Sequence, residues 1–131
     1  MATVLIIDDS RTSRKILRNI LADDGYEVIG EAPDGQAGFE EYLKLNPDFV
    51  TLDITMPVLD GLGCLKKIME HDKNAKVIMV TAAGQKSKMV EAIKLGASEF
   101  IQKPFEPNQI LSVIKTVILS YYSLKNTCFE S

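Results

Sequence analysis

The stretch FVTLDITMP, from Phe49 to Pro57, is an apolar run that ends in a lone carboxylate, Asp53. Such a continuous apolar run is typical of a strand buried on both faces, as in a parallel sheet covered by helices. Three other apolar runs also stop at polar residues: Val4–Ile7 at Asp8 and Asp9, Val77–Val80 at Thr81, and Phe100–Ile101 at Gln102 and Lys103. The sequence therefore predicts several polar side chains at strand ends near Asp53.

Helical patterns separate the strands along the chain. Strands are predicted over residues 3–7, 26–30, 49–52, 77–80 and 99–102, and helices over residues 11–24, 36–45, 62–70, 86–95 and 107–122. The last helix has the clearest apolar stripe, formed by Ile110, Val113, Ile114, Val117 and Ile118. Four basic residues of the first helix are interpreted as a solvated face: Arg11, Arg14, Lys15 and Arg18. Five alternations of strand and helix predict a doubly wound α/β fold with a five-stranded parallel sheet and right-handed crossovers.

Length and composition indicate one globular domain with a single core. The chain has 131 residues, of which 46% are hydrophobic, and a formal net charge of −3. This charge offers no basic surface for nucleic acid, and no apolar run approaches the ~18 residues of a membrane span. Cys64 and Cys128 form no disulfide framework or ligand pattern, and the N-terminus lacks a signal-peptide pattern. We therefore predict a cytoplasmic protein that binds neither nucleic acid nor membrane.

The polar residues at the strand ends form a chemically coherent set. Ligands of an open α/β sheet bind beyond the carboxyl ends of its strands. If the strand order is 2-1-3-4-5, Asp8, Asp9 and Asp53 are neighbours, and Thr81 and Lys103 lie on the far side of Asp53. Three adjacent carboxylates repel one another unless a cation intervenes, and hard oxygen ligands suit Mg²⁺. Taken singly, each residue could also be a turn, cap or surface residue. Together they suit phosphoryl transfer to Asp53.

These residues, with their neighbours, resemble a known family. The motifs are Asp8-Asp9, Asp53 with Met56-Pro57 and Asp60-Gly61, Thr81-Ala82, and Lys103-Pro104-Phe105. In combination they are similar to the receiver domain of two-component response regulators, over about residues 3–119. The resemblance implies a flavodoxin-like (βα)5 fold with strand order 2-1-3-4-5. It implies a receiver domain over residues 1–122, followed by a frayed tail over residues 123–131.

The resemblance implies roles for the acidic residues. Asp53 is expected to be the phosphoacceptor, which attacks the phosphohistidine of a sensor histidine kinase in line. Asp9, Asp53 and the backbone carbonyl of Thr55 are expected to ligate Mg²⁺, or Mn²⁺ in its place. Asp8 is expected to act on the metal largely through water.

Four further residues receive roles from the same resemblance. Lys103 is expected to pair with the phosphoryl oxygens, and the peptide bond between Lys103 and Pro104 to be cis. Thr81 is expected to hydrogen-bond a phosphoryl oxygen and to carry the signal. Phe100 matches an aromatic switch position that moves inward when Thr81 is drawn towards the phosphate.

The implied activity is that of a phosphorylation-activated switch. We expect the protein to catalyse its own phosphoryl transfer and slow dephosphorylation, without being an enzyme for other substrates. The stretches MVTAAGQ at 79–85 and EFIQKPF at 99–105 look similar to single-domain chemotaxis regulators. No DNA-binding or catalytic pattern follows the last helix, so a stand-alone receiver is expected, monomeric when unphosphorylated. Its output partner, in the flagellar motor or another chemotaxis protein, would bind the face made by the fourth helix, fifth strand and fifth helix.

The chain departs from the family pattern at three positions. Phe100 stands where tyrosine is also common, so its switching would depend on packing alone. Thr55 and Ala83 flank the phosphorylation site and offer neither a carboxylate nor an amide to orient water. We therefore predict slow self-dephosphorylation, with a longer half-life than that of a variant carrying Asn at position 55.

Three alternative functions are compatible with parts of this pattern. A phosphorelay intermediate would share the fold and pass the phosphoryl group to another histidine protein. A flavin-binding electron carrier needs a hydroxyl- and glycine-rich phosphate loop after the first strand, where this chain has Asp8-Asp9. A hydrolase with an aspartate nucleophile usually needs a second acid two residues later, where this chain has Thr55.

Overall fold

Five strands alternate with five helices in the computed structural model, which describes the backbone of residues 2–130 and the side chains of residues 2–119. The elements are β1 (Thr3–Ile7), α1 (Arg11–Asp23), β2 (Glu27–Ala32), α2 (Gly35–Leu45), β3 (Phe49–Asp53), α3 (Gly61–His71), β4 (Val77–Thr81), α4 (Lys86–Leu95), β5 (Glu99–Gln102) and α5 (Pro107–Glu130). The sequence thus predicted the order and type of every element.

The strands form one parallel sheet in the order β2-β1-β3-β4-β5, which confirms the predicted fold class. β3 is central, and its last residue, Asp53, lies opposite Val80 of β4. The strand order places β1 and β4 on the two sides of β3. Residues that follow β1, β3 and β4 therefore meet at one edge of the sheet.

The apolar side chains of the strands alternate between two cores, because successive residues of a strand point to opposite faces. On one face, Val4, Ile6 and Phe49 pack against α1 and α5. On the other face, Leu5 and Val50 pack against the apolar sides of α2, α3 and α4. Burial on both faces explains why the strands are continuous apolar runs rather than alternating ones.

Short polar side chains fix where three helices begin. Ser10, Asp34 and Asp60 each accept a hydrogen bond from the backbone N–H three residues later, at 3.2, 2.8 and 2.8 Å. These N-caps satisfy donors that have no partner within the helix.

The predicted bounds of β2 were wrong. The prediction ended this strand at residue 30, but it runs on to Ala32. Gly30 stays within the strand because it pairs with Leu5, and a Cβ there would lie 2.5 Å from Cδ1 of Leu45. The glycine thus makes room for α2 and does not end the strand.

The last helix continues to Glu130, while side chains beyond Leu119 lie outside the described part of the chain. The predicted division between a domain and a tail at residue 122 therefore stays a prediction. Among the described residues, no helix combines the length and the apolar character needed to cross a bilayer.

Candidate acidic site at the strand ends

Three carboxylates meet where β1 and β3 end. One oxygen from each of Asp8, Asp9 and Asp53 lies within 4.8 Å of the other two. Asp8 and Asp53 are 2% and 6% exposed, whereas Asp9 is exposed. The adjacency of β1 and β3 produces this cluster, as the sequence predicted if the strand order was 2-1-3-4-5. The cluster is closed on the protein side and open to solvent through Asp9.

Lys103 is the cation that faces two of these carboxylates. Its Nζ lies 3.2 Å from Oδ2 of Asp8 and 3.6 Å from Oδ2 of Asp53. Burial, followed by the charge of Asp8, raises the pKa of Asp53 to about 6, while Lys103 acts in the opposite direction. A single ammonium therefore does not offset the burial and repulsion of the carboxylates, and the pKa remains raised.

A divalent cation fits this donor set. The three side chains offer hard carboxylate oxygens close together, and a magnesium ion in a protein commonly uses one or two carboxylates together with water. Burial and the Asp8 charge raise the pKa of Asp53 despite Lys103, and a bound cation would favour the ionised carboxylate. The exposed side of Asp9 leaves room for water and for a substrate.

The backbone around Asp8 holds its side chain in place. The Asp8 N–H donates to the carbonyl of Ala32 at 3.0 Å, and its Oδ1 accepts the N–H of Ser10 at 2.8 Å. Nη1 of Arg14 donates to the Asp8 carbonyl at 2.5 Å. The Asp8 carboxylate is therefore held in a fixed, buried position, whereas Asp9 is exposed to solvent.

Arg14 was interpreted as part of a solvated face, and this was wrong, because its side chain is only 16% exposed. Arg18, from the same predicted face, is 51% exposed, as predicted. Nε of Arg14 lies 3.2 Å from Oε1 of Glu31, and Nη1 of Arg18 pairs with Oε2 of the same glutamate. Arg14 thus ties α1 to both β2 and the end of β1. Helical spacing alone could not predict this, because Glu31 belongs to another element whose end was misplaced.

Thr81 and Lys103 are joined through the backbone. Thr81 ends β4 and is 2% exposed, and its carbonyl accepts the N–H of Lys103 at 2.8 Å. The peptide bond between Lys103 and Pro104 is cis. Phe100 is half-buried on β5 and lines a cavity of about 780 Å³ together with Thr81. Phe100 is therefore close to Thr81 but is not part of the acidic cluster.

The loop after Asp53 is held by backbone hydrogen bonds to its surroundings. The Ile54 N–H donates to the carbonyl of Val80 at 3.2 Å, and the Ile54 carbonyl accepts the N–H of Gly61 at 2.7 Å. Thr55 is exposed within this loop. Its hydroxyl accepts a hydrogen bond from Nε2 of Gln85, a residue that sequence analysis did not single out. No periodicity or motif signals a contact made by one long side chain between two loops.

Comparison with known proteins decides the family. The model of the response regulator receiver domain matches residues 4–115 of the chain. The chain belongs to this family. The match confirms the resemblance seen in the motifs and does not support the flavin-carrier and hydrolase alternatives.

Individual receiver domains are similar over most of the chain. A chemotaxis protein CheY from Thermotoga maritima is 46% identical over 114 residues, which cover 87% of this chain and 95% of the relative. A chemotaxis protein CheY from Listeria monocytogenes is 45% identical over 115 residues, which cover 88% and 97%. Among solved structures, a CheX–CheY–BeF3–Mg²⁺ complex from Borrelia burgdorferi matches with a TM-score of 0.85 and 41% identity, covering 89% of each chain.

Proposed function

We propose that this receiver domain is a phosphorylation-activated switch of a two-component system. It accepts a phosphoryl group on Asp53 from a phosphohistidine of a sensor kinase and then binds a protein partner. The observation that carries this proposal is the position of Asp53, a buried carboxylate grouped with Asp8 and Asp9 and 3.6 Å from the Lys103 ammonium. Family membership supports the same function.

The reaction requires a nucleophile and a stabilised phosphoryl group. An oxygen of the Asp53 carboxylate attacks phosphorus, the N–P bond of the phosphohistidine breaks, and the electron pair leaves with the imidazole. Lys103 already lies beside Asp53 and offers a fixed positive charge to the transferred oxygens. Thr81, at the end of the adjacent strand, offers a hydroxyl to the same group.

Asp9, Asp53 and the Thr55 backbone carbonyl would hold Mg²⁺, or Mn²⁺ in its place, with Asp8 beside them. The ion would supply positive charge to the phosphoryl oxygens during transfer. The clustered carboxylate oxygens and the raised pKa of Asp53 support a cation at this position. The relative in the solved CheX–CheY complex is described with Mg²⁺.

The phosphoryl group would be sensed through Thr81 and Phe100. Both residues line the cavity between α4, β5 and α5, together with Met89 and Val113. A shift of Thr81 towards phosphorylated Asp53 would free space for the Phe100 ring and change this face. We propose that an output protein docks here, in chemotaxis, since the similar CheY proteins are chemotaxis proteins.

A reducing compartment suits this chain. Cys64 is buried, and burial raises the pKa of its thiol to about 12, so the residue is an unreactive thiol and not a disulfide or ligand site. We propose a cytoplasmic location and a monomer before phosphorylation, which sedimentation of the unphosphorylated protein would check.

Phosphorylation is tested directly by mass. The protein is incubated with Mg²⁺ and acetyl phosphate, and its intact mass is measured. We expect one phosphoryl adduct in the wild-type protein, no adduct in Asp53→Asn, and a strong reduction when EDTA replaces Mg²⁺. An undiminished adduct in Asp53→Asn, or no adduct in the wild-type protein, would count against the proposal.

A further inference from the structure

Gln85 connects two loops that rise from neighbouring strands. Its side-chain Oε1 accepts the backbone N–H of Ala82 at 2.7 Å, and its Nε2 donates to Oγ1 of Thr55 at 2.7 Å. Ala82 directly follows Thr81 at the end of β4, and Thr55 lies two residues after Asp53 at the end of β3. One amide group therefore spans the gap between the β3–α3 and β4–α4 loops.

The bridging side chain of Gln85 lies at a position where side chains commonly cap a helix. Gln85 occupies the N-cap position of α4, but its side chain makes no capping hydrogen bond there. Only its backbone carbonyl joins the helix, by accepting the Met89 N–H at 3.0 Å. The N-terminus of α4 therefore has no side-chain cap, and the Gln85 side chain instead contacts Thr55.

The bridge stands at the edge of the phosphorylation site. β3 and β4 are paired, with Asp53 opposite Val80, so the loops that follow Asp53 and Thr81 leave the sheet side by side. Gln85 is half-buried, whereas Thr55 and Ala82 are exposed. A hydrogen-bonded link between these two loops limits how far they separate beside Asp53.

We propose that Gln85 is a positioning residue, which links the β3–α3 and β4–α4 loops through Thr55 and Ala82 and slows the approach of water to phosphorylated Asp53. The inference rests on the proposed function of Asp53 as the phosphoacceptor. In this proposal the Thr55 hydroxyl anchors the Gln85 side chain, while the Thr55 backbone carbonyl remains the expected Mg²⁺ ligand. It adds a second cause of a long-lived phosphorylated state to the absence of a water-orienting carboxylate or amide at positions 55 and 83.

Removal of the amide should shorten the life of the phosphorylated state. The proteins are loaded with acetyl phosphate and Mg²⁺, the donor is removed, and the loss of the adduct is followed by intact mass. We expect Gln85→Ala to dephosphorylate about three- to tenfold faster than the wild-type protein, the effect of losing one hydrogen bond of ordinary net strength.

A second variant tests the link itself. Thr55→Val keeps the shape of the side chain and the contact of Gln85 with Ala82, but removes the hydroxyl at the other end. It should also accelerate dephosphorylation, and the double variant should be no faster than the faster single variant. Additive effects would mean that the two residues act separately, which would overturn the proposal.

Amide hydrogen exchange in the unphosphorylated protein gives a readout that does not depend on phosphorylation. The Ala82 N–H should exchange faster in Gln85→Ala than in the wild-type protein, because its acceptor is lost. Unchanged exchange would overturn the proposal.

The matched control is Gln36→Ala. Gln36 also joins two helices through its amide, accepting from Lys67 at 3.1 Å and donating to Glu40 at 3.3 Å, but on α2. This variant should dephosphorylate at the wild-type rate, and an equal acceleration in both variants would overturn the proposal.

If the wild-type protein forms the adduct but Gln85→Ala loses it at the wild-type rate, this inference alone is overturned. Absence of a wild-type adduct would overturn the proposed function as well.

Discussion

Thr51 places a polar atom in an otherwise apolar layer of the central strand. Its side chain is fully buried, and its hydroxyl has no hydrogen-bond partner among the described residues. It pairs with Ile6 on one side and Ile78 on the other. A buried hydroxyl without a partner costs free energy, because its hydrogen bonds to water are lost on folding and not replaced.

Replacement of Thr51 by valine should therefore stabilise the protein. Valine has the same shape and β-branching but carries a methyl group in place of the hydroxyl. We expect Thr51→Val to raise the free energy of unfolding by about 1 kcal/mol, the lower end of the cost of an unpaired buried polar group. Urea unfolding followed by circular dichroism measures the change.

Thr3→Val provides the control of opposite sign. The Thr3 hydroxyl accepts the Asp48 N–H at 2.9 Å and donates to Oδ2 of Asp48 at 3.2 Å. The same substitution there breaks hydrogen bonds and should lower the free energy of unfolding by about 1 kcal/mol. A Thr51→Val protein that is as destabilised as Thr3→Val would mean that the Thr51 hydroxyl has a partner in solution.

The beginning of α3 packs closely against the end of β3, beside the acidic site. A Cβ added to Gly61 would lie 2.1 Å from the carbonyl oxygen of Asp53 and 2.7 Å from Cα of Ile54. Both contacts are with backbone at the end of β3, which cannot rotate away as a side chain can. The absence of a side chain at residue 61 therefore lets the helix approach the backbone of Asp53 and Ile54 closely.

Gly61→Ala should force α3 and the end of β3 apart. We expect a loss of about 2–3 kcal/mol in the free energy of unfolding, as for overpacking of a tightly fitted site. The control is Gly63→Ala on the same helix, where the nearest atom is the movable Cδ1 of Leu59 at 2.6 Å. There the better helix propensity of alanine offsets part of the cost. Equal stability of the two variants, measured by urea unfolding, would contradict this interpretation.

The features that sequence predicted are those fixed by local pattern. The apolar runs predicted the strands, because a buried strand is recognised from residues that are near one another in sequence. The grouping of Asp8, Asp9 and Asp53 was predicted only if the strand order is 2-1-3-4-5. The family resemblance supplied this strand order, and the structure confirms it. The three carboxylates are then found together.

The features that sequence missed depend on contacts between distant elements. The sequence pattern predicts that β2 ends at Gly30, whereas the contact with Leu45 on α2 determines the environment of this glycine. Arg14 and Gln85 reach partners on other elements through long, flexible side chains. Helical spacing predicts the face on which such a side chain lies, but not which partner it reaches.

The acidic site affects the stability of the whole molecule. In the metal-free protein, burial and the nearby Asp8 carboxylate raise the pKa of Asp53 to about 6, above its ordinary value of 3.8. The folded state therefore holds this proton at pH values where the unfolded state has released it. A proton held more tightly by the folded state stabilises it at low pH, and that stabilisation is lost as the pH rises from about 4 to about 6.

We therefore expect the contribution of Asp53 to the free energy of unfolding to fall by up to roughly 3 kcal/mol across this pH window in the metal-free wild-type protein. Above about pH 7 this contribution should be constant. Asp53→Asn removes the charge with little change of shape, so its unfolding free energy should exceed that of the wild-type protein at pH 8 by about 1–3 kcal/mol. The excess should shrink as the pH falls towards 4. Urea unfolding in EDTA at several pH values measures both curves.

Two comparisons separate this effect from a general loss of negative charge. Asp23→Asn removes a carboxylate from the exposed end of α1, away from the acidic site, and should follow the wild-type curve. Addition of Mg²⁺ should stabilise the wild-type protein at pH 8 more than Asp53→Asn, because the ion relieves a repulsion that the variant has already lost. A variant less stable than the wild-type protein at pH 8 in EDTA would mean that Lys103 more than offsets the burial and repulsion of Asp53.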